Sequence, residues 1–416
     1  MKHKRLLIFF STALMLVIVI YAVTMLYNIK PAAPTIVDTP IVEHKPSIEL
    51  DIEEPILIDE EIYEDSYTEQ QPDEDIIQQV EDRLAQLTLE EKIGQLLIVG
   101  IEDRASSVST DTRKLIAEQG IGNIILFKRN IDSEQQLTAF IHELKKLPSN
   151  DIPLWVTIDQ EGGKVNRLPE QFPSAAELGE LNDTAITQAN GDLIGKALAD
   201  LSIDMNFSPV LDINSNPNNP VIGSRAFGAT ADSVTTHSTA MLEGLGKHVL
   251  TVGKHFPGHG DTTIDSHIEL PVIDKSWDEL EQLELLPFRT AIANDIDAIM
   301  VGHLLVPKLD ADYPASLSET IISYYLRKVL QFDGLIITDD LIMGGITEQY
   351  ELSEAAVKAI QAGNTMLIIG HKPKQQQLVR QRLIEAVEQG EIDEALIDER
   401  VRLVLSMKLN MQAYLQ

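Results

Sequence analysis

The sequence predicts an α/β protein, a (β/α)8 TIM-type barrel forming a single domain. Three observations predict it. Eight short apolar runs alternate with amphipathic stretches between residues 96 and 370, and runs apolar at every position read as parallel strands buried on both faces. Eight is the number that closes such a barrel, and the roughly 300 residues used suit that fold. Polar residues collect where the runs end, the face on which a barrel builds its active site. A doubly wound open sheet is the alternative. No G-x-G-x-x-G or G-x-x-x-x-G-K-[ST] stands at a strand end to support its nucleotide-binding versions.

The elements follow in order. IIQQVEDRLAQLTLEEKIGQ (76–95) is a helical opening. The strand candidates are LLIVGI (96–101), NIILF (123–127), LWVTI (154–158) and MNFSPV (205–210), then LTVGKHF (250–256), AIMVGHL (298–304), LIITDD (335–340) and MLIIG (366–370). Helical patterns lie between most of them: 133–147, 186–201, 276–293 and 318–331. No second large domain is expected in residues 371–416.

The N-terminal part differs in kind. Three cations, Lys2, Lys4 and Arg5, precede 22 uncharged residues from Leu6 to Tyr27. A bilayer needs about 20 apolar residues, whereas a signal-peptide apolar region runs about 7–15 and ends in a small-residue cleavage site. Residues 1–30 are therefore expected to be a basic tip and an uncleaved membrane anchor, with cleavage and secretion as the alternative. The positive-inside rule keeps the tip in the cytoplasm and puts the rest of the chain outside, as a single-pass protein of the cell membrane. Residues 31–75 hold 15 acidic residues against one lysine, with recurrent proline. That composition predicts a self-repelling disordered linker. Residues 76–416 are then the barrel domain. The whole chain carries −32, which excludes the basic footprint of a nucleic-acid binder. With no cysteine, disulfides, thiolate chemistry and Cys-ligated metals are excluded.

The strand ends carry the candidate chemistry. Strand three runs into Asp159-Gln160-Glu161, strand five into Lys254-His255, strand six into His303, strand seven into Asp339-Asp340 and strand eight into His371. Arg225 lies in the loop after strand four. The loop after strand five, PGHGDTTIDSH, holds Asp265 and His267 two apart, so in extended chain their side chains share a side. A carboxylate on one ring nitrogen fixes the imidazole tautomer and leaves the other nitrogen to give or take a proton. His259 is expected to shape its own loop, Asp340 to be a structural acceptor, and His371 to lie at the surface.

KHFPGHGDTTIDSH (254–267) closely resembles the signature loop of glycoside hydrolase family 3, in its β-N-acetylglucosaminidase (β-hexosaminidase) branch. DQEGGKVNRL (159–168), SRAFG (224–228) and ITDDLIM (337–343) fall in that family's order and spacing. The likeness covers roughly residues 80–410. It implies a TIM barrel and a retaining exo-β-N-acetylglucosaminidase that needs no cofactor or metal and acts on a carbohydrate substrate, with cell-wall or peptidoglycan fragments expected. It implies Asp339 as nucleophile, His267 as general acid/base and Asp265 as its partner. It also implies that Asp159, Arg167, Arg225, Lys254, His255 and His303 bind the sugar. Lys164 stands where the family more often has Arg, which loses a fork of donors.

Three other readings of the same residues compete. One is a β-N-acetylglucosaminide phosphorylase, because a histidine acid/base tolerates an anionic acceptor. One is a metal-dependent barrel hydrolase using His255, His259, Asp261, Asp265 and His267. One is a non-catalytic sugar-binding scaffold.

Overall fold

The computed structural model describes residues 74–104 and 107–415. All eight expected strands form, and they close into one barrel in sequence order. They are β1 Leu97–Gly100, β2 Asn123–Leu126, β3 Trp155–Ile158, β4 Met205–Asn206, β5 Leu250–Phe256, β6 Ala298–Val301, β7 Leu335–Asp340 and β8 Met366–Ile369. Every pairing is parallel, and β8 returns to β1. β5 and β7 have their expected bounds. β4 is cut to two residues of the expected six, because Pro209 has no N–H to give to a ladder. Pairing with β5 resumes just beyond it, where the Leu211 N–H donates to the Lys254 carbonyl at 2.6 Å.

Strand side chains alternate faces, and β7 shows what that does here. Leu335 and Ile337 belong to one apolar cluster and Ile336 to the other. Asp339 continues the row of Leu335 and Ile337 and so reaches the barrel mouth from inside. Asp340 continues the other row.

The helical opening breaks in two, Glu74–Leu84 and Leu89–Gln95. The restart is a capping box in which the Glu91 N–H donates to Thr88 Oγ1 and the Thr88 N–H to Glu91 Oε2, written in the sequence as T-x-x-E. The expected helix over 276–293 also splits, into Trp277–Glu281 and Leu286–Ala293. Pro287 sits in the first turn of the second piece, where its missing N–H costs nothing. The 318–331 stretch winds as a π-helix over Thr320–Val329.

The last helix, Glu394–Leu415, seals the end of the barrel opposite the site. Its buried Lys408 Nζ donates to Gln95 Oε1 and to the Gly122 and Pro153 carbonyls, each at 2.9 Å. Burial pushes this ammonium down to about 7, partly offset by Asp204.

The expected anchor and nearly all of the expected linker fall in residues 1–73, outside the described residues. Among the described residues no helix is long and apolar enough to cross a membrane.

Candidate active site

At the C-terminal ends of the strands lies a small cavity of about 150 Å³ that opens to solvent. Asp159, Arg167, Arg225, Lys254, His255, His267 and Asp339 all line it. Seven of the nine residues singled out in the sequence therefore share one pocket. Asp265 stands behind His267, and His303 is set apart.

The floor is a network of buried ions. β3 delivers Asp159 and Glu161, two residues apart and so on one side. Arg225 grips Glu161 with two parallel bonds, Nε to Oε2 at 2.9 Å and Nη2 to Oε1 at 2.8 Å, the planar fork that guanidinium and carboxylate share. Lys254 Nζ lies 2.6 Å from Glu161 Oε1 and 2.7 Å from Asp159 Oδ1. Burial would raise the Glu161 carboxyl, but the Arg225 and Lys254 charges outweigh it and hold it well below the usual range. The charges are thus paired, as burial demands. Arg167 Nη2 approaches Asp159 Oδ2 at 3.9 Å, while its buried Nε has no partner. Among the described residues that buried donor is unpaired, although Arg167 itself lines the pocket.

Lys254 and His255 are neighbours on β5 and would ordinarily face opposite sides. The register with β6 shifts between Lys254 and Phe256, and this bulge aims both at the cavity. The His255 ring is fixed by Asp212 Oδ2, 2.7 Å from Nδ1. Asp212 also accepts the His255 and His259 N–H groups. Its other ring nitrogen, Nε2, faces Arg225 Nη2 at 3.3 Å.

Asp339 and Asp340 part company as the alternation requires. Asp339 Oδ1 accepts its neighbour's N–H at 2.7 Å, and among the described residues nothing donates to Oδ2. Burial works to raise this carboxyl. The His255 and His303 rings, the Asp340 N–H and His267 outweigh it and hold it at about 2. Asp340 turns away and accepts the N–H groups of Gly370 and Ile342 on Oδ1. It serves as a structural acceptor, and burial pushes it up to about 7, with Asp339 and Asp159 adding to the rise.

His303 departs from expectation. It is buried, with Nδ1 facing Ser316 Oγ at 2.8 Å and Nε2 facing the Asp340 carbonyl at 3.0 Å. Both nitrogens are spent on the protein, and the ring does not line the cavity. Burial lowers its pKa, against the pull of Asp339, and the ring braces the Asp340 carbonyl beneath Asp339.

The loop after β5 supplies the last group. Asp265 Oδ1 accepts the His267 N–H at 2.9 Å and holds Nδ1 at 2.8 Å. The His267 side chain remains 62% exposed and lines the cavity, with its Nδ1 held by Asp265. His259 is buried, with Thr262 at Nδ1 (2.8 Å) and Ser266 at Nε2 (2.9 Å). Burial and the His255 charge push it down to about 4, against the pull of Asp212. It holds the loop together. Asp261 pairs with Lys275. Among the described residues, no three His, Asp or Glu side chains converge to hold a metal ion.

Sequence reasoning passed over Glu161 and Asp212. Glu161 had a signal, since it stands two residues after Asp159 at the same strand end. Asp212 was hidden by Pro209. Read through the proline to Leu211, the fourth strand ends at that carboxylate. His371, at the exposed rim, lies away from the cavity lining as expected.

The profile of the glycosyl hydrolase family 3 N-terminal domain matches residues 88–407. Over 340 residues the chain is 35% identical to the protein named Beta-hexosaminidase LpqI of Mycobacterium tuberculosis, covering 78% of this chain and 84% of that one. It is 34% identical over 277 residues to a Beta-hexosaminidase of Idiomarina loihiensis, covering 65% of this chain and 82% of the relative. A solved glycoside hydrolase family 3 β-N-acetylglucosaminidase from a Paenibacillus species superposes with a TM-score of 0.76 at 40% identity. That match covers 78% of this chain and 63% of the other, so the chain spans less than two thirds of that neighbour. The chain belongs to glycosyl hydrolase family 3.

Proposed function

We propose that this chain is a retaining exo-β-N-acetylglucosaminidase that removes terminal β-linked N-acetylglucosamine. The observation that carries the reading is that Asp339 and the Asp265-braced His267 line one cavity with a buried, charge-paired floor. The activity is that in the names of the relatives just given.

In the proposed reaction an Asp339 oxygen attacks the anomeric carbon as the glycosidic C–O bond breaks. His267 gives its proton to the departing oxygen, and a glycosyl ester forms on Asp339. His267 then takes a proton from water, whose oxygen attacks the same carbon and frees the Asp339 carboxylate. Two inversions give retention. The second carboxylate of most retaining glycosidases is replaced here by an imidazole with a carboxylate behind it. Lys254, Arg225, Arg167, His255 and Asp159 have the donors and acceptors to hold sugar hydroxyls. All chemistry is assigned to side chains, without metal or organic cofactor.

The test is hydrolysis of a chromogenic β-N-acetylglucosaminide by the wild type and by Asp339→Ala and His267→Ala. The wild type is expected to turn over with retained configuration; full activity in both variants overturns the assignment. Unequal release with and without phosphate would point to phosphorolysis.

The proposed natural substrates are cell-wall fragments met outside the cytoplasm, with the chain held by its N-terminus. What supports the tether is the uncharged run Leu6–Tyr27 behind three cations. Alkaline extraction of membranes should leave the full chain in the pellet and release a chain lacking residues 1–30. Products of wall-fragment digestion, read by mass spectrometry, identify the substrate.

A further inference from the structure

We propose that Gly344 and Gly345 are positioning residues for proton transfer: they dock the loop that carries His267 onto the helical turn that follows the strand of Asp339. The inference rests on the acid/base reading of His267 and adds what holds that group in place.

The loop after β5 is secured unevenly. Its inner half is tied down by buried His259, which meets Thr262 at Nδ1, and by Lys275, which pairs with both Asp261 and Glu284; His259 Nε2 also reaches across to buried Ser266 Oγ in the outer half. Its outer half holds Asp265 and His267, and both carry solvent-exposed surface. There the Gly344 N–H donates to the His267 carbonyl at 3.1 Å, and the Gly345 N–H to the Ser266 carbonyl at 3.0 Å. Among the described residues, no other backbone hydrogen bond joins residues 263–269 to a different element.

The approach leaves no space for a side chain. A Cβ on Gly344 would stand 2.5 Å from the Ile268 carbonyl oxygen and 2.8 Å from that of His267. Both are backbone atoms and cannot swing aside. A Cβ on Gly345 would stand 3.0 Å from the Ser266 carbonyl oxygen and 3.3 Å from His303 Cβ. Neither glycine has a positive φ, so closeness and not conformation demands glycine. The pair opens the helical turn Gly344–Thr347, separated from β7 by three residues and standing five and six residues after Asp339. The Ile342 N–H on Asp340 Oδ1 fixes the chain between them. The spacing of proton donor and nucleophile is thus set through a short, braced path.

A misplacement of about 1 Å can cost about 10²-fold in rate. Gly344→Ala pushes the His267 backbone and leaves every cavity-lining side chain unchanged. The readout is kcat/KM, which reports formation of the glycosyl ester, on two β-N-acetylglucosaminides. One has a 2,4-dinitrophenyl leaving group that needs no proton; the other has an alkyl or sugar leaving group that does. Gly344→Ala should lose about 10-fold or more on the second and little on the first. Gly345→Ala, with its milder contacts, should show the same bias to a smaller degree. Azide needs no base to attack the ester, so it should restore kcat on the activated substrate. Equal loss on both substrates in Gly345→Ala at an unchanged unfolding midpoint, or no loss in either variant, overturns the dock. His267→Ala is the control. If it shows no leaving-group bias, the acid/base reading itself fails and the dock falls with it. If it shows the bias and the glycine variants do not, only the dock falls.

Discussion

The floor of the cavity and the loop above it solve opposite problems. On the floor, Lys254 is 2% exposed and its charge is divided between two carboxylates; on the loop, His267 is 62% exposed and leans on one. The floor is built from strand ends, whose positions the barrel ladder fixes. The outer half of the loop is built from turns, the Ser266 hydroxyl on His259 and two backbone bonds to a neighbour. The difference follows from chemistry. A nucleophile and the groups that grip a sugar need a fixed, dry field, because preorganised charges act most strongly where water is absent. A proton donor must meet leaving groups of varied shape and then water, so it stands where solvent reaches it.

The largest expected effect breaks the comparison at the floor. Among the described residues, Asp339→Ala removes the only cavity-lining carboxylate without a cationic side chain bonded to it. Its kcat should fall by about 10⁴-fold or more, equally for good and poor leaving groups. A leaving-group bias in this variant would mean that Asp339 does not attack.

Lys254→Met tests the floor as a fold element. Two carboxylates lose a buried partner, which costs about 3–5 kcal/mol when one side of such a pair is removed. The sign of its pH dependence is fixed by Glu161, whose carboxyl is held below its unfolded value. Its contribution is present above about 4.5 and fades as pH falls. Denaturant unfolding should therefore show the largest loss near neutrality and a smaller one in acid. An equal loss at both pH values would mean that packing, not charge, is what Lys254 contributes.

Asp265→Asn probes the loop and should cost less, about 10²-fold on a substrate with a poor leaving group. An asparagine oxygen still accepts the His267 N–H but cannot stabilise the imidazolium. A melting temperature within a degree or two of wild type is expected, because the pair is partly exposed and such pairs add little to stability.

The same contrast explains what could be read before the structure. The floor was legible because apolar runs mark strands and strand ends mark the site. β5 and β7 were placed to the residue, and Asp159, Lys254 and Asp339 followed. Failures came where local chemistry interrupts the run. Pro209 stopped β4 short and hid Asp212. The β5 bulge let adjacent Lys254 and His255 share a face, which a strict alternation forbids. His303 stands near a strand end like the others, but Ser316 and the Asp340 carbonyl occupy it, and no spacing rule foretells that. The loop was legible only in part. The Asp265–His267 spacing suggested their pairing, whereas the contact with Gly344 and Gly345 joins distant stretches through backbone atoms that carry no sequence signature.

An effect confined to the pH dependence of stability lies where adjacent residues of β7 divide between the two regions. Asp339 faces the floor and is held at about 2, while Asp340 faces away and is pushed up to about 7. Their contributions to stability have opposite signs. Asp339 is depressed below its unfolded value near 3.8, so its stabilisation is lost only as pH falls toward about 2. Asp340 is raised, so between about 4 and about 7 the folded chain keeps a proton that the unfolded chain has released. Stability must then decline as pH rises through that window. Asp340→Asn removes this titration and keeps the acceptor, because both N–H groups bind Oδ1. Unfolding free energies measured from pH 4 to pH 8 should decline less in the variant. Its gain over wild type at pH 8 should reach at most about 4 kcal/mol, the limit set by a shift of about three units. Identical slopes would mean that Asp340 is already ionised at pH 4. Two negative charges would then sit side by side at the end of β7, and the cations of the floor would have to hold both.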